Sequence, residues 1–291
     1  MPERTARATL KRRQSDRLER DRQNVSTGTL IIIGGNEDKS GDRLILSEVA
    51  SHAREGVLVV ATVASSVPEE NWGLYRPVFS EMGVRRIEHL DLPTRAAAFR
   101  AGALECLQDA RAVFFTGGDQ GQIATRIAGT PVHDAIRNLY EGGACIAGTS
   151  AGAAAMSETV ITSMHGDDQH SDVRAFTTIA GLGLLRGVLI DQHFAQRGRM
   201  TRLLAAVGQN PALFGIGIDE DTAIVVNADI ISVIGAGSVY LVDGHDMTAS
   251  NTLEHGSGAL CAYDMRVHVL NASNRFDLIT RRPATCSGER A

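Results

Sequence analysis

Short apolar runs alternate with longer amphipathic stretches along the first half of the chain. The runs are rich in valine and isoleucine and predict buried strands: TLIII (29–33), VLVVATVAS (57–65), RRIEHLDL (85–92), RAVFFTGG (111–118) and GACIAG (143–148). The stretches between them repeat apolar residues at helical spacing and predict helices over 42–54, 72–82, 95–108, 121–128 and 131–140. Strands that alternate with helices predict a parallel sheet with helices on both faces.

The pattern changes in the second half of the chain. A small-residue segment (AAAMSE) predicts a helix after Ser150, GVLID (187–191) predicts one more buried strand, and residues 199–207 predict a helix. Four short strands then follow at close spacing, which is typical of antiparallel hairpins: TAIVVN, ISVIGAG, SVYLVDG and RVHVL. The sequence therefore predicts an α/β fold of three layers (α/β/α) with a mostly parallel central sheet and a C-terminal antiparallel extension. We expect one domain over residues 28–291, preceded by a disordered charged arm over 1–27.

Composition narrows the class of protein. The 291 residues carry a formal net charge of -5 with both signs interspersed, which argues against the basic stripe of a nucleic-acid binder. No apolar run precedes Leu30, so we expect neither a secretory leader nor a membrane anchor. The four cysteines lie far apart, without the spacing of a zinc site or a disulfide framework. Free thiols in a reducing, cytoplasmic compartment are the expectation.

Four predicted strands end in chemically unusual segments: GGNEDKSG (34–41), TGGDQGQ (116–122), GTSAGA (148–153) and DQHFAQRGR (191–199). Ligands of open α/β sheets bind outside the carboxyl ends of the strands. These segments are therefore the first places to look for a site.

Residues 148–152 match the G-x-S-x-G pattern, in which a sharp strand-to-helix turn exposes a nucleophilic serine. Ser150 is the candidate nucleophile. The alternatives are a glycine-rich packing turn and an anion site at a helix N-terminus.

A serine nucleophile needs a base and an orienting acid. Of nine histidines, only His193 directly follows a predicted strand, so it is the best candidate base. Glu220 stands between two apolar runs, beside Asp219 and Asp221, and is the candidate acid, although such a triplet also fits a solvated turn. The order Ser, His, Glu differs from that of the α/β-hydrolases, so we expect another fold.

The histidines of MHGDDQH (164–170) flank two aspartates and imitate a metal site. Their spacing fits no standard zinc pattern, so a polar loop is the interpretation. We predict no metal and no cofactor.

Four segments, in this order and spacing, resemble the cyanophycinases within the dipeptidase E-like serine peptidases: FFTGGDQ, GTSAGA, DQHFAQRGRMTRLL and GIGIDEDTAI. The resemblance covers residues 28–244. It implies the architecture of the class I glutamine amidotransferases with serine in place of cysteine, and a homodimer. It also implies Ser150 as nucleophile, His193 as base, Glu220 as acid, the amides of Gly118 and Ala151 as oxyanion hole, and a substrate-binding set: Gln120, Asp191, Gln192, Arg197, Arg199 and Arg202.

The resemblance implies an exopeptidase that degrades cyanophycin, a poly-aspartate with arginine on each side-chain carboxylate, to β-Asp-Arg dipeptides. Arg197, Arg199 and Arg202 are expected to clamp substrate carboxylates, and Asp191 or another acid to pair the substrate guanidinium. We attribute the clustering of these arginines to anionic groups arriving with substrate.

The sequence leaves three alternative functions open. An aspartyl dipeptidase of the same wider family should lack the arginine cluster. A nucleotide-binding module could use residues 34–41 and 116–122 as phosphate loops, but neither matches G-x-G-x-x-G or a Walker motif. A non-catalytic amidotransferase-like binding protein is the third, and an intact triad argues against it.

Overall fold

A computed structural model describes residues 28–163, 176–252 and 259–284. The charged arm over 1–27 and the MHGDDQH segment at 164–170 lie outside the described residues. The described part contains two large sheets, with helices packed against both.

The first sheet contains the predicted parallel core. Its five parallel strands run in the order β1, β5, β4, β2, β3. Each corresponds to one of the predicted apolar runs: β1 (Thr29–Ile33), β2 (Val57–Ala61), β3 (Arg86–Leu90), β4 (Ala110–Phe115) and β5 (Cys145–Thr149). Strand β1 lies in the interior of this sheet and is almost wholly buried, which explains its unbroken run of leucine and isoleucine.

Helices cover both faces of this sheet. On one face, Ile31 and Ile33 pack with residues of α1 (Leu44–Ala53) and α2 (Pro68–Glu81). On the other face, Leu30 and Ile32 belong to a larger core that includes four further helices: α3 (Ala101–Leu107), α4 (Gln120–Ile127), α5 (Pro131–Glu141) and α6 (Ala151–Ala154). The predicted helix over 95–108 is interrupted, because Arg100 is extended (ψ 145°) between a 3-10 turn, Arg95–Phe99, and α3.

The second sheet has six strands, ordered β15, β12, β9, β8, β6, β7. Strand β8 pairs parallel with its two neighbours, β6 and β9. The outer pairs, β6 with β7, β9 with β12 and β12 with β15, are antiparallel. Helix α7 (Met200–Gln209) packs on its outer face through Leu203 and Val207. The strands are β6 (Ser157–Ser163), β7 (Phe176–Ala180), β8 (Leu185–Gln192), β9 (Phe214–Ile218), β12 (Val239–Asp243) and β15 (Arg266–Leu270).

Two of the four predicted antiparallel strands, SVYLVDG and RVHVL, lie in the second sheet as β12 and β15. The other two, with two further short strands, form an antiparallel extension. They continue the first sheet beyond β1, each pairing antiparallel with the one before: β10 (Thr222–Asn227), β11 (Ile230–Gly235), β16 (Arg275–Asp277) and β17 (Arg282–Pro283). A short ribbon joins β13 (Ala249–Ser250) to β14 (Ala262–Tyr263). The predicted fold class, a mixed α/β fold with a mostly parallel central sheet, is confirmed.

Two details of the prediction were wrong. The helix expected over AAAMSE ends at Ala154, and strand β6 begins at Ser157, because residues 159–162 are all β-branched and favour a strand. The second sheet was not foreseen as a separate layer. No helix in the described ranges is long and apolar enough to cross a membrane.

Two helical glycines make a matched test of the packing. A Cβ on Gly152, in α6, would lie 2.5 Å from the carbonyl oxygen of Phe115, whereas one on Gly102, in α3, would meet nothing within 4 Å. We expect Gly152→Ala to lower the free energy of unfolding by about 1–3 kcal/mol through overpacking. Gly102→Ala should raise it by up to about 1 kcal/mol, because alanine favours a helix. Urea unfolding checks both, and equal stability of the two variants would contradict this packing.

Candidate active site

The carboxyl ends of the two sheets meet at one place. Ser150 follows β5 of the first sheet, whereas His193 follows β8 and Glu220 follows β9 of the second. The three residues that the sequence predicts as a triad are therefore brought together from two different sheets.

Ser150 lies in a strained turn. Its φ of 53° and ψ of -112° are rarely adopted by a residue with a side chain, at a cost of about 1–3 kcal/mol. The turn is tight because glycines flank it: a Cβ on Gly148 would lie 2.6 Å from the carbonyl carbon of Gly152. This geometry agrees with a nucleophile elbow rather than with a plain packing turn.

A continuous chain of hydrogen bonds runs from Ser150 to Asn36. The Ser150 Oγ lies 2.8 Å from His193 Nε2, and His193 Nδ1 lies 2.7 Å from Glu220 Oε1. Asn36 Nδ2 donates to the other oxygen, Glu220 Oε2, at 3.0 Å. Because a carboxylate only accepts, the proton of neutral His193 belongs on Nδ1, which leaves Nε2 able to accept the serine proton.

The pKa shifts of His193 and Glu220 favour the protonation state in which His193 can act as a base. Burial lowers the pKa of His193 below its ordinary value of 6.5, and the positive charge of Arg197 lowers it further, against the opposing hydrogen bond to Glu220. The hydrogen bond from His193 lowers the pKa of Glu220, and Asn36 adds to this shift. At neutral pH, His193 is therefore neutral and Glu220 is ionised.

The acidic triplet is not a solvated turn, because each member has its own partners. Asp219 Oδ1 accepts from the Ala195 N–H at 2.9 Å, and its Oδ2 accepts from the Ser238 N–H at 3.1 Å. Asp221 Oδ1 accepts from the Asp38 N–H at 2.9 Å. The two aspartates thus fix the segment that presents the glutamate between them.

The end of β1 contacts each of the three segments that carry the residues of the predicted triad. The carbonyl oxygens of residues 33, 34 and 35 accept, respectively, from the N–H groups of Ser150 (3.0 Å), His193 (2.8 Å) and Asp221 (2.9 Å). Gly35 also lies against the imidazole: its φ is 106°, and a Cβ there would come within 2.3 Å of His193 Cε1. Only glycine fits at this position without moving the ring.

The two predicted oxyanion residues belong to two segments next to the serine. Ala151 is the first residue of α6, directly after Ser150. Gly118 belongs to the loop after β4, in which a Cβ on Gly117 would lie 3.4 Å from Ser150 Cβ. Gly118 has a φ of 142°, and a Cβ on it would lie 2.0 Å from the carbonyl oxygen of Ala64, so this loop packs tightly beside the nucleophile.

The predicted substrate-binding set is partly occupied by contacts among its own members. Arg202 donates to both oxygens of Asp191, from Nε at 2.9 Å and from Nη2 at 2.5 Å, and Arg199 Nη1 donates to Asp191 Oδ1 at 3.0 Å. Arg199 also binds the carbonyl and side-chain oxygens of Gln192. The expectation that only incoming anions offset the repulsion between these arginines was wrong, because Asp191 already does so.

The three arginines of the predicted set differ in how far their side chains are exposed to solvent. Asp191 and Arg199 are buried, with 2% and 5% of their side chains exposed, and Arg202 is 18% exposed. Arg197 is exposed, and its backbone N–H donates to the His193 carbonyl at 3.0 Å. Whether the set binds substrate stays a prediction.

Other predicted and unpredicted residues complete the site. Gln120, at the start of α4, donates from Nε2 to the Ile161 carbonyl at 3.0 Å, which joins the loop after β4 to the second sheet. Sequence reasoning missed Asn36 and Gln196, whose Oε1 accepts from the Glu220 N–H at 3.1 Å. The unusual segment after β1 was the available signal for Asn36. Across the part of the chain that the structure describes, no group of three or more His, Cys, Asp or Glu residues could hold a metal ion.

Comparison with known proteins places this chain in a family. The model of peptidase family S51 matches residues 30–234. The cyanophycinase of Trichormus variabilis is 36% identical over 281 residues, which cover 94% of each chain. The cyanophycinase of Geminocystis herdmanii is 36% identical over 264 residues, covering 88% of this chain and 95% of its own.

Solved structures share the fold. A peptidase from an acI-B1 Actinobacterium aligns with a TM-score of 0.63 at 22% identity, covering 86% of this chain and 97% of its own. A putative peptidase E protein from Listeria monocytogenes aligns with a TM-score of 0.53 at 16% identity, covering 72% and 100%. The family match and the relatives together show that the chain belongs to peptidase family S51 and is a serine-type peptidase.

Proposed function

We propose that this peptidase hydrolyses cyanophycin with Ser150 as nucleophile, His193 as general base and Glu220 as orienting acid. The observation that carries the proposal is the unbroken chain of hydrogen bonds, 2.8 Å and 2.7 Å long, from the Ser150 hydroxyl to the Glu220 carboxylate. The substrate is inferred from the cyanophycinases that are about a third identical over most of the chain.

The chemistry proceeds in two halves. His193 Nε2 takes the hydroxyl proton while Ser150 Oγ attacks the amide carbon, and Glu220 stabilises the imidazolium that forms. The N–H groups of Gly118 and Ala151 bind the oxyanion of the tetrahedral intermediate. His193 then protonates the leaving amine, which departs and leaves an ester on Ser150. Water, deprotonated by His193, attacks the ester carbon. The bond to Ser150 Oγ then breaks, His193 returns the proton to Oγ, and a β-Asp-Arg dipeptide is released.

The charges beside the triad suit an anionic substrate. Two guanidinium groups, those of Arg199 and Arg202, share the carboxylate of Asp191 beside the triad. Asp191 holds the two guanidinium groups in fixed positions, which lowers the entropy lost when a carboxylate binds. Arg197 is exposed on the turn next to His193, and we infer that it is the arginine most open to a substrate carboxylate.

The first experiment is to incubate the protein with purified cyanophycin and to identify the products by mass spectrometry. We expect wild type to release Asp-Arg dipeptides and Ser150→Ala to release none, with its circular dichroism spectrum unchanged. An untouched polymer together with cleaved aspartyl dipeptides would indicate instead the aspartyl dipeptidase activity of the wider family. Polymer hydrolysis by the alanine variant would refute the proposed nucleophile.

The second experiment concerns pH. Because protonated His193 cannot accept the serine proton, kcat/KM should fall as the pH drops through its pKa, which lies below 6.5. Arg197→Gln removes a charge that lowers this pKa and should shift the acid limb to higher pH, whereas Glu220→Gln should shift it to lower pH. Profiles of kcat/KM between pH 4 and 8, roughly the range in which histidine titrates, measure both shifts. Acid limbs that coincide in all three proteins would exclude His193 as the titrating base.

The third experiment separates Arg197 from its neighbours. A hydrogen bond to a charged group contributes about 1.5–3 kcal/mol, so Arg197→Ala should lower kcat/KM on cyanophycin by about 10- to 150-fold. Arg197→Lys should recover little, because an ammonium lacks the bidentate fork. Arg137→Ala, at an exposed arginine on α5, is the control and should change little. If Arg197→Ala stays within about twofold of the control, a gap worth less than 0.5 kcal/mol, Arg197 does not hold the substrate.

A further inference from the structure

Glu37 is a buried carboxylate that the proposed chemistry does not use. It lies in the GGNEDKSG segment after β1, and only 2% of it is exposed. Its Oε1 accepts from the Tyr75 hydroxyl at 2.6 Å and lies 3.1 Å from Lys39 Nζ, and its Oε2 accepts from the Thr149 hydroxyl at 2.5 Å. Both oxygens are therefore engaged, which is what allows the charge to be buried.

The contact with Thr149 points toward the nucleophile. Thr149 is the last residue of β5, directly before Ser150, and it is also buried. A strained conformation such as that of Ser150 persists only where the surroundings over-determine it. The Ser150 N–H is held by the Ile33 carbonyl, and Glu37 holds the preceding side chain.

The neighbours of Glu37 contact the other two members of the triad. Asn36 donates to Glu220, and Gly35 packs against the His193 ring, as described above. One short segment, residues 35–37, thus contacts the acid and the base directly and the nucleophile through Thr149.

We propose that Glu37 is a positioning residue of the active site: through Thr149 it fixes the strained turn that aims the Ser150 hydroxyl at His193. Tyr75 and Lys39 hold the carboxylate in place from the opposite side. This inference rests on the proposed function, because it assumes that Ser150 is the nucleophile. A purely structural role for Glu37 would stabilise the fold without affecting the reaction of the serine.

The test compares two buried threonines. Thr149→Val removes the hydroxyl that binds Glu37, and Thr130→Val removes a similarly buried hydroxyl that caps α5. For each variant we would measure the melting temperature, kcat and KM, and the rate at which a small fluorophosphonate labels Ser150. A misplacement of about 1 Å can cost on the order of 100-fold in rate. We therefore expect Thr149→Val to lose about tenfold or more in kcat and in labelling rate, with KM changed much less.

Two variants of Glu37 itself add a rescue. Glu37→Gln keeps an oxygen that accepts from the Tyr75 hydroxyl and supplies an N–H that can donate to the Thr149 oxygen, because the Thr149 hydroxyl can rotate. It should retain most of the labelling rate, whereas Glu37→Ala should lose as much as Thr149→Val. Should Glu37→Ala fail to fold, Thr149→Val still decides the question.

The outcomes separate this inference from the proposed function. If Thr149→Val and Thr130→Val both lose thermal stability but label as fast as wild type, Glu37 is structural and the inference is overturned. If wild type hydrolyses its substrate without any labelling of Ser150, the proposed nucleophile is wrong and the inference falls with it. The inference is supported if Ser150 is labelled slowly in Thr149→Val but as fast as in wild type in Thr130→Val.

Discussion

The arrangement of the site depends on the carbonyl groups at the end of β1. Three consecutive carbonyls, those of residues 33–35, hold the N–H groups of Ser150, His193 and Asp221. Ser150 follows a strand of the same sheet as β1, whereas His193 and Asp221 follow strands of the second sheet. Because these hydrogen bonds form between backbones, they hold the three segments together without using the side chains of Ser150, His193 and Glu220.

The buried carboxylates near the site are also held in place by their contacts. Each buried carboxylate near the site is satisfied by several donors: Glu37 by two hydroxyls and an ammonium, Asp191 by two guanidinium groups, and Asp219 by two backbone amides. Glu220 differs from these three carboxylates, because one of its oxygens is directed at an imidazole and its side chain is more exposed than theirs. The supporting acids therefore fix geometry, whereas Glu220 tunes the proton affinity of His193.

The sequence predicted the parallel core and pointed to Ser150, His193 and Glu220 as a candidate triad, because both produce local signals. Strands β1 and β2 are unbroken apolar runs, and Ser150 and His193 each follow a strand end. Strand β9 of the second sheet was not predicted, because its two glycines weaken a strand pattern. They are required by packing, since a Cβ on Gly217 would lie 2.5 Å from the Phe194 ring. The pairing of Asp191 with its arginines, and the contacts of Glu37, join residues distant in sequence and leave no local pattern.

We propose that the strained turn after β5 presents an activated serine. The most direct measurement is to treat the protein with a fluorophosphonate and to locate the adduct by peptide mass mapping. We expect one adduct per chain, on Ser150, formed rapidly at neutral pH and abolished by replacing His193. An enzyme that is active on its substrate but carries no adduct, or carries it on another residue, would contradict the account.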